Sequence, residues 1–217
     1  MLPVLKACGK LNKNIALLND YLPPGVAETI WERVEKDQVL FRIAKPRKSK
    51  LGDYRPPFQK KGHRISVNSD LNQYSFLITV LHEFAHLETW KKYKNSRKPH
   101  GVEWKAEFQE ILHPFIQEGL FPNKITSALT QYIQNPAASS CVDHHLMRAL
   151  AGHDEVQQVF VESLPEGILF KLSNGLVFEK GVKLRKRYKC KCVTNNRWYF
   201  VSATATAEVI PTQTRLF

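Results

Sequence analysis

Hydrophobic residues recur at helical spacing through the first part of the chain and alternate with polar residues through the last part. Residues 11–22 and 24–36 each place apolar side chains on one stripe and predict two amphipathic helices. Residues 38–44 and 62–68 alternate and predict strands, with a basic hairpin tip and a returning strand between them. This pattern predicts a small three-stranded sheet.

The longest predicted helix covers residues 76–94 and is apolar nearly all round. A helix of this kind is buried at the centre of its domain, because no face of it suits water. A turn at residues 99–101 follows, and a further helix then places Trp104 and Phe108 on one face. The polar residues of so buried a helix need partners, since unpaired buried polar groups are costly.

The period of the pattern changes near residue 156. Before it, residues 135–140 form a segment of small residues that is typical of a domain boundary. After it, short alternating stretches separated by turn residues predict an antiparallel β unit. We therefore predict an α+β protein with a helical and three-stranded domain over residues 1–135, a linker and short helix over 136–155, and a small antiparallel β domain over 156–217.

Within the buried helix, residues 82–86 read His-Glu-Phe-Ala-His. His82 and His86 are four residues apart, so both can face one metal ion from the same side of the helix. Glu83 points about 100° away from His82, which places it beside the ion rather than on it. That arrangement suits a glutamate that takes a proton from a water activated by the metal. The alternative is a pair of core histidines bonded to backbone carbonyls.

A catalytic zinc ion usually has three protein ligands and one open position. His100 is a candidate for the third ligand because it lies in the turn beyond the buried helix, where Gly101 allows an unusual backbone conformation. Glu103 and Glu107 are alternatives, since two histidines and a glutamate bind zinc equally well.

Two other groups of ligand-type residues are weaker candidates. Asp143, His144 and His145 lie close together, but adjacent histidines on a helix diverge by about 100°. Cys190 and Cys192 have the form of half a zinc ribbon, yet no second pair of cysteines follows them. We therefore expect surface residues in the first group and a β unit without metal in the second.

The chain carries a net charge of +12, and the positive charge is concentrated in two blocks. Residues 42–64 and 171–197 each contain nine basic residues and one acidic residue. Such blocks favour contact with a polyanion such as DNA, and aromatic residues next to the second block suit the same role, although a solvated basic surface has the same composition. The candidate nucleic-acid ligands are Arg47, Lys48 and Lys50 in the first block and Arg185, Arg187, Lys189 and Lys191 on one face of a predicted strand in the second.

Composition argues against several other classes of protein. No run of about 18 apolar residues occurs, so neither a transmembrane helix nor a membrane partner is expected. The first residues contain no long apolar segment, so we expect no signal peptide. Four scattered cysteines are too few for a disulfide scaffold, so we expect a reducing cytoplasm, close to the nucleoid if DNA is bound.

Three segments together resemble the SprT family of zinc metallopeptidases, which includes the eukaryotic Spartan proteases. They are the strand Arg-Ile-Ser-Val-Asn at residues 64–68, the motif at 82–86, and His-Gly-x-x-Trp at 100–104. The resemblance is to the short bacterial SprT-like proteins and covers roughly residues 10–130. In the tail, the pair Cys190 and Cys192 lies where members of the family begin a zinc ribbon, and the missing second pair departs from that pattern.

The resemblance implies a zincin-like metallopeptidase domain with one zinc ion bound by His82, His86 and His100. It implies that Glu83 is the general base, and that the activity is proteolysis, in some members of proteins crosslinked to DNA. On this resemblance we expect a zinc metalloendopeptidase that acts on protein substrates near DNA.

Two other functions are compatible with the sequence. One is a DNA-binding module with a structural or vestigial zinc site and no protease activity. The other is a peptidase without a nucleic-acid role, whose basic surface selects acidic substrates. For the peptidase, we expect residues 62–68 to form the edge of the cleft and to pair with an extended substrate. We expect His63, on that strand, to be a surface residue rather than a ligand.

Overall fold

The computed structural model describes residues 4–5, 11–47, 49–136, 143–154 and 158–210. The chain forms two compact units that divide between His153 and Asp154. The described α-helices are α1 (Leu11–Asn19), α2 (Ala27–Lys36), α3 (Gln73–Tyr93), α4 (Val102–Gln117), α5 (Asn123–Tyr132) and α6 (His144–Ala151). The described strands are β1 (Val4–Leu5), β2 (Leu40–Ala44), β3 (Gly52–Arg55), β4 (Arg64–Asn68), β5 (Leu169–Leu172), β6 (Val177–Glu179), β7 (Arg187–Cys192), β8 (Trp198–Ser202) and β9 (Ala207–Val209). The α+β class is confirmed.

The sheet of the first unit has the order β1-β2-β4-β3, with a two-residue strand, β1, that the predicted three-stranded sheet lacked. Strands β2 and β4 are parallel, and β3 is antiparallel to β4. The predicted hairpin between β2 and its returning strand is therefore wrong, because the returning strand β3 pairs with β4 instead. The segment 62–68 is not an edge strand: β4 lies between β2 and β3, and β3 is the edge.

Burial explains why β4 lies inside the sheet. Ile65 and Val67 are 1% and 0% exposed and belong to the core that α3 covers, so one face of the strand is buried. Strands β2 and β3 occupy its two edges. None of the residues of β3, by contrast, is fully buried. A short and polar strand is typical of a sheet edge.

Helix α3 is the central element of the first unit. It begins after Asn72, whose side chain accepts a hydrogen bond from the backbone N–H of Ser75 and so caps the helix. It ends at Tyr93, and it packs against β3 and β4 on one side and α4 on the other. The buried run from Phe76 to Leu81 confirms the prediction of a helix that is apolar nearly all round. None of the described helices combines the length and apolar character needed to cross a membrane.

Helix α6 lies in the segment predicted as a linker and short helix, and it packs with the first unit. Its residues Leu146 and Leu150 are buried in the same core as α3, and the Leu150 carbonyl accepts a bond from the Asn72 side chain. Asp143 caps α6 by accepting a hydrogen bond from Leu146 N–H. Residues 137–142 of the predicted linker lie outside the described residues.

The second unit is an antiparallel sheet with the order β8-β7-β6-β5-β9 and a core of its own. Phe170, Phe178 and Tyr188 fill this core. The strand predicted over residues 183–193 is shorter than expected: Lys183 forms a bridge to Tyr188, so the chain turns between them and β7 begins at Arg187. Of the strand predicted over 156–162, residues 156 and 157 lie outside the described residues, Phe160 forms an isolated bridge to Thr206, and a 3-10 turn begins at Val161.

Candidate metal centre

Three histidines from two parts of the first unit converge on one point. His82 and His86 project from one face of α3, and His100 reaches the same point from the loop before α4. The Nε2 atom of His100 lies 3.1 Å from His82 Nε2 and 3.0 Å from His86 Nε2. Within the described residues, this is the one group whose ligand atoms are close enough to hold a metal ion.

The donor set fits a cation better than it fits hydrogen bonding among the rings. Burial first, and then the neighbouring imidazoles, hold the pKa of His82 and His86 far below the usual range, and burial lowers the pKa of His100. Neutral rings keep a lone pair each, so one N–H at most can be shared between two facing nitrogens. In a tetrahedral zinc site, nitrogen ligands lie about 3.3 Å apart, close to the two separations seen here.

The backbone at His100 is unusual. Its φ is +58°, in the left-handed region that few residues other than glycine adopt, with histidine, asparagine and aspartate the most frequent among them. The expectation that Gly101 adopts the unusual conformation is wrong: Gly101 has a φ of −71° and precedes the first turn of α4. A side chain at Gly101 would instead meet the carbonyl oxygen of Lys98 at 3.0 Å.

Trp104 packs against all three histidine rings. Its ring centroid lies 4.6 Å from that of His82, 4.7 Å from that of His100 and 5.4 Å from that of His86. The side chain is 0% exposed, so its position is fixed by the core. The helical spacing placed Trp104 on one face of the predicted helix and did not predict this role. The His-Gly-x-x-Trp spacing was the signal available, because it places the indole one helical turn beyond His100.

The two alternative ligands are engaged elsewhere. Glu103 pairs with Arg97 at 2.9 Å, and Glu107 accepts bonds of 2.7 and 2.9 Å from the Lys92 ammonium. Neither carboxylate belongs to the group that can hold a metal.

Glu83 lies beside the histidines and is almost completely buried, with 5% exposure. Its carboxylate accepts a hydrogen bond from the backbone N–H of Tyr54 on β3. Burial raises the pKa of Glu83 to about 8, and the nearby Asp53 adds to the rise, whereas the Tyr54 N–H opposes it. A cation bound next to the carboxylate would favour the charged form, because opposite charge lowers the pKa of an acid.

The histidines and Glu83 line a cleft of about 600 Å³. The segment that leads into β3 and β3 itself form one wall, α3 forms the floor, and the loop from Lys94 to His100 forms the opposite wall. Aromatic side chains line much of it, among them Tyr54, Trp90 and Trp104. The cleft therefore has the volume of a typical ligand pocket and is apolar next to the histidines.

The remaining histidine of this region is not part of the group. His63 is half-buried, and its Nδ1 lies 2.9 Å from the Tyr54 hydroxyl, while its ring meets Trp90 edge to face. It therefore supports the wall of the cleft behind Tyr54.

Two of the three candidate nucleic-acid ligands in the basic block of the first unit are engaged by the chain itself. The Arg47 guanidinium donates to the side chains of Asn68 and Ser66, at 2.7 and 3.1 Å. Lys50 pairs with Asp53 at 2.7 Å. Lys48 lies outside the described residues. The structure thus gives Arg47 a role inside the fold, where it fixes the segment that leads to β3.

The basic residues of the second unit divide into two places. Arg187, Lys189 and Lys191 alternate with buried residues along β7 and share its outer face. Arg185 does not share that face in register, because it lies in the turn before β7. The two cysteines of β7, Cys190 and Cys192, point the other way and are buried in the core.

Two exposed aromatic residues adjoin the outer face of β7. Trp198 and Phe200, on the neighbouring strand β8, are 57% and 60% exposed. Lys189 pairs with Phe200 across the sheet, and its ammonium lies 4.7 Å from the centre of the Trp198 ring. We refer to Arg187, Lys189, Lys191, Trp198 and Phe200 as the basic aromatic face.

Comparison with known proteins gives one match. Residues 25–126 match the model of the SprT-like family, which confirms the resemblance found in the sequence. The matched segment contains Glu83 and all three converging histidines, and it ends before the second unit begins. No curated protein and no solved structure matches the chain.

Proposed function

We propose that this chain, whose residues 25–126 belong to the SprT-like family, is a zinc-dependent metalloendopeptidase with a zincin-like catalytic domain. The observation that carries the proposal is the convergence of His82, His86 and His100 beside the buried Glu83 in an open cleft. Within the described residues, no fourth side chain closes this group. Three ligands with an open position are typical of catalytic rather than structural zinc.

The three histidines would hold one zinc ion through their Nε2 atoms. When bound, zinc supplies Lewis acidity, which polarises a carbonyl oxygen and makes water acidic enough to act near neutral pH. The low pKa of the three rings suits this role, because a histidine binds metal through a neutral imidazole.

Glu83 is the proposed general base. Its carboxylate takes the proton of the attacking water and passes it to the nitrogen of the departing amine, so one group serves both steps. The Tyr54 N–H holds one end of this carboxylate, and burial keeps bulk water from competing for it. The base is thus held in place before substrate arrives.

Strand β3 is the proposed docking edge for the substrate, in place of the strand expected from the sequence. It has a neighbour on one side, and it lines the cleft. An extended peptide can add to such an edge through backbone hydrogen bonds, which makes recognition depend on an unfolded segment more than on its sequence. The proposed substrates are therefore proteins with accessible extended segments.

The experiment that tests this function replaces Glu83 with glutamine. Glu83→Gln is expected to keep one zinc ion per chain and to lower cleavage of an unfolded protein by about 100-fold or more, since a general base contributes about 10²–10⁴. Glu103→Gln is the matched control, because Glu103 is ion-paired with Arg97 and lies outside the converging group. This variant is expected to cleave at the parent rate. Cleavage by Glu83→Gln at the parent rate would show that the assigned base is wrong. If the zinc-loaded parent never cleaves above background, the chain is a binding module with a structural or vestigial zinc.

A second proposed property is contact with DNA through the basic aromatic face. Positive side chains suit the phosphates and exposed aromatic rings can stack on unpaired bases, so this face fits a single strand. A protease that holds DNA would act on proteins bound or crosslinked to it, in the cytoplasm near the nucleoid. The expected result is binding of a single-stranded oligonucleotide that weakens steeply with salt and falls by about fivefold or more in Trp198→Ala. Lys171→Gln is the control, because Lys171 is paired with Glu208 on another part of the sheet. Equal binding by Trp198→Ala and the parent would exclude the face as the DNA site.

A further inference from the structure

We propose that Gly52, on the edge strand β3, is the positioning residue for Glu83. Its lack of a side chain lets the Glu83 carboxylate lie directly against the strand, next to the N–H that holds it. The inference rests on the proposed function in one respect, namely that Glu83 is the catalytic base.

The space around Gly52 is already filled. A Cβ atom built at this position would overlap Glu83 Oε1, would lie 2.9 Å from Glu83 Cδ and would lie 2.7 Å from Thr79 Cγ2. Carbon atoms in contact normally stay about 3.5–4.0 Å apart, so any side chain at residue 52 displaces either Glu83 or the strand. Gly52 is not among the residues with a left-handed backbone. A glycine is therefore needed here for close approach, not for an unusual conformation.

Neither neighbour of Gly52 can move away cheaply. The Glu83 carboxylate is buried and is held by Tyr54 N–H, two residues along the same strand. Thr79 Oγ1 donates a hydrogen bond of 2.7 Å to the Ser75 carbonyl one turn earlier in α3, which fixes the direction of its methyl group. Glu83 and Thr79 are four residues apart on α3, so they form one surface against which the strand rests.

The strand is also held from the far side. Asn68 N–H donates to the Leu51 carbonyl at 2.8 Å, and the Asn68 side chain donates to the Lys50 carbonyl at 3.0 Å. The Arg47 guanidinium bonds the Asn68 side chain in turn. This network fixes the start of β3 relative to β4. A methyl group at residue 52 would therefore be accommodated mainly by movement of the Glu83 carboxylate.

The histidines do not depend on this contact. His82, His86 and His100 are held by α3, the loop before α4 and Trp104, and none of them lies among the atoms nearest to Gly52. A substitution at Gly52 should therefore separate the base from the metal ligands. Zinc binding stays intact while the proton transfer loses its geometry.

The first test compares Gly52→Ala with Gly62→Ala. At Gly62, an added Cβ would meet only the Gln38 carbonyl oxygen, at an ordinary 3.8 Å. Gly52→Ala is expected to bind one zinc ion per chain and to lose about tenfold to 100-fold in kcat with little change in KM, because misplacement of a reacting group by about 1 Å has an effect of this size. Gly62→Ala is expected to keep the parent's kcat. Parent kcat in Gly52→Ala, or loss of its zinc, would overturn the inference.

The second test does not need catalysis. The melting temperature of the metal-free full chain is followed by helical circular dichroism, which reports on the first unit because all described α-helices lie in it. Gly52→Ala is introduced into the parent, into Glu83→Ala and into Thr79→Ser. If Gly52 makes room for the carboxylate, the loss of melting temperature caused by Gly52→Ala is clearly smaller in the Glu83→Ala background than in the parent.

The outcomes separate this inference from the proposed function. An equal loss of melting temperature in the parent and in Glu83→Ala, with relief only in Thr79→Ser, would mean that Gly52 serves packing against Thr79 alone and would overturn the inference. If Gly52→Ala does not fold, the double variant Gly52→Ala/Glu83→Ala must fold for the inference to stand. A parent chain that cleaves no protein would overturn the proposed function, while the coupling in melting temperature still decides whether Gly52 positions Glu83.

Discussion

The two units of this chain differ in where they place side chains that could bind a metal. In the first, two histidines four residues apart on a buried helix are met by a third histidine from a loop. In the second, two cysteines two residues apart on a strand face an apolar core. Both pairs share one face of one element, so spacing alone does not distinguish them. What distinguishes them is whether a separate element brings a third ligand to the same point.

The units also differ in where they place charge. The first buries the Glu83 carboxylate on a helix, beside a cluster of three half-buried imidazoles, where such groups are costly unless something compensates them. The second keeps its cations on the outer face of a strand and fills the inner face with Tyr188 and the cysteines. Ionisable groups with shifted pKa values inside a cleft are typical of a reaction centre. Charged side chains on an exposed face are typical of a surface that binds a partner.

The largest effect is expected from removing the ligand that the first unit has and the second lacks. His100→Ala should weaken zinc binding by more than about 100-fold and bring proteolysis to background, because two histidines on one helix leave the ion incompletely held. Zinc titration with a competing chelator measures the affinity. His113→Ala, an exposed histidine on α4, is the control and should bind zinc as the parent does. If His100→Ala binds zinc as tightly as the parent, a third ligand from a separate element is not what distinguishes the first unit from the second.

A smaller effect should come from the residue that packs against the three histidines. Trp104→Phe should lower the free energy of unfolding of the first unit by roughly 1–3 kcal/mol and weaken zinc binding by about tenfold. Trp31→Phe is the matched control, since Trp31 is equally 0% exposed but lies on α2, away from the cleft. It should show a comparable loss of stability with unchanged zinc affinity. Equal zinc affinities in the two variants would mean that Trp104 contributes packing alone.

The smallest effect is expected in the second unit. Cys190→Ala and Cys192→Ala should leave zinc at one ion per chain and lower the stability of the second unit by about 1–2 kcal/mol each, as for a small side chain removed from a core. Metal analysis gives the stoichiometry, and hydrogen exchange of the β6 and β7 amides gives the local stability. A fall in zinc content in either variant would show that β7 carries a metal site after all.

The sequence predicted the convergence of the three histidines better than it predicted the sheet. The 3.6-residue period brings His82 and His86 together whatever the rest of the fold, so this part of the site depends on local geometry alone. The identity of the third ligand depended on the turn before α4, and the spacing of residues along the chain could not exclude Glu103 and Glu107 as alternatives to His100. Only the ion pairs with Arg97 and Lys92 show where those carboxylates go.

Non-local pairing accounts for most of what the sequence could not predict. The parallel pairing of β2 with β4 joins residues more than one strand apart, so β3 goes to the edge and no local pattern signals this. Arg47 was a candidate DNA ligand because of its charged neighbours, yet its partners Asn68 and Ser66 come from β4. The role of Gly52 could not be predicted from the sequence for the same reason, because the helix surface that it contacts is formed by the distant residues Thr79 and Glu83.

The left-handed backbone at His100 links metal affinity to loop conformation. A residue with φ of +58° costs about 1 kcal/mol relative to ordinary helical or extended backbone, so a metal-free loop gains by leaving it. Where the loop leaves this conformation, a metal ion that binds has to restore it, and the apparent affinity falls by the fraction in which the conformation is populated, about fivefold per kcal/mol.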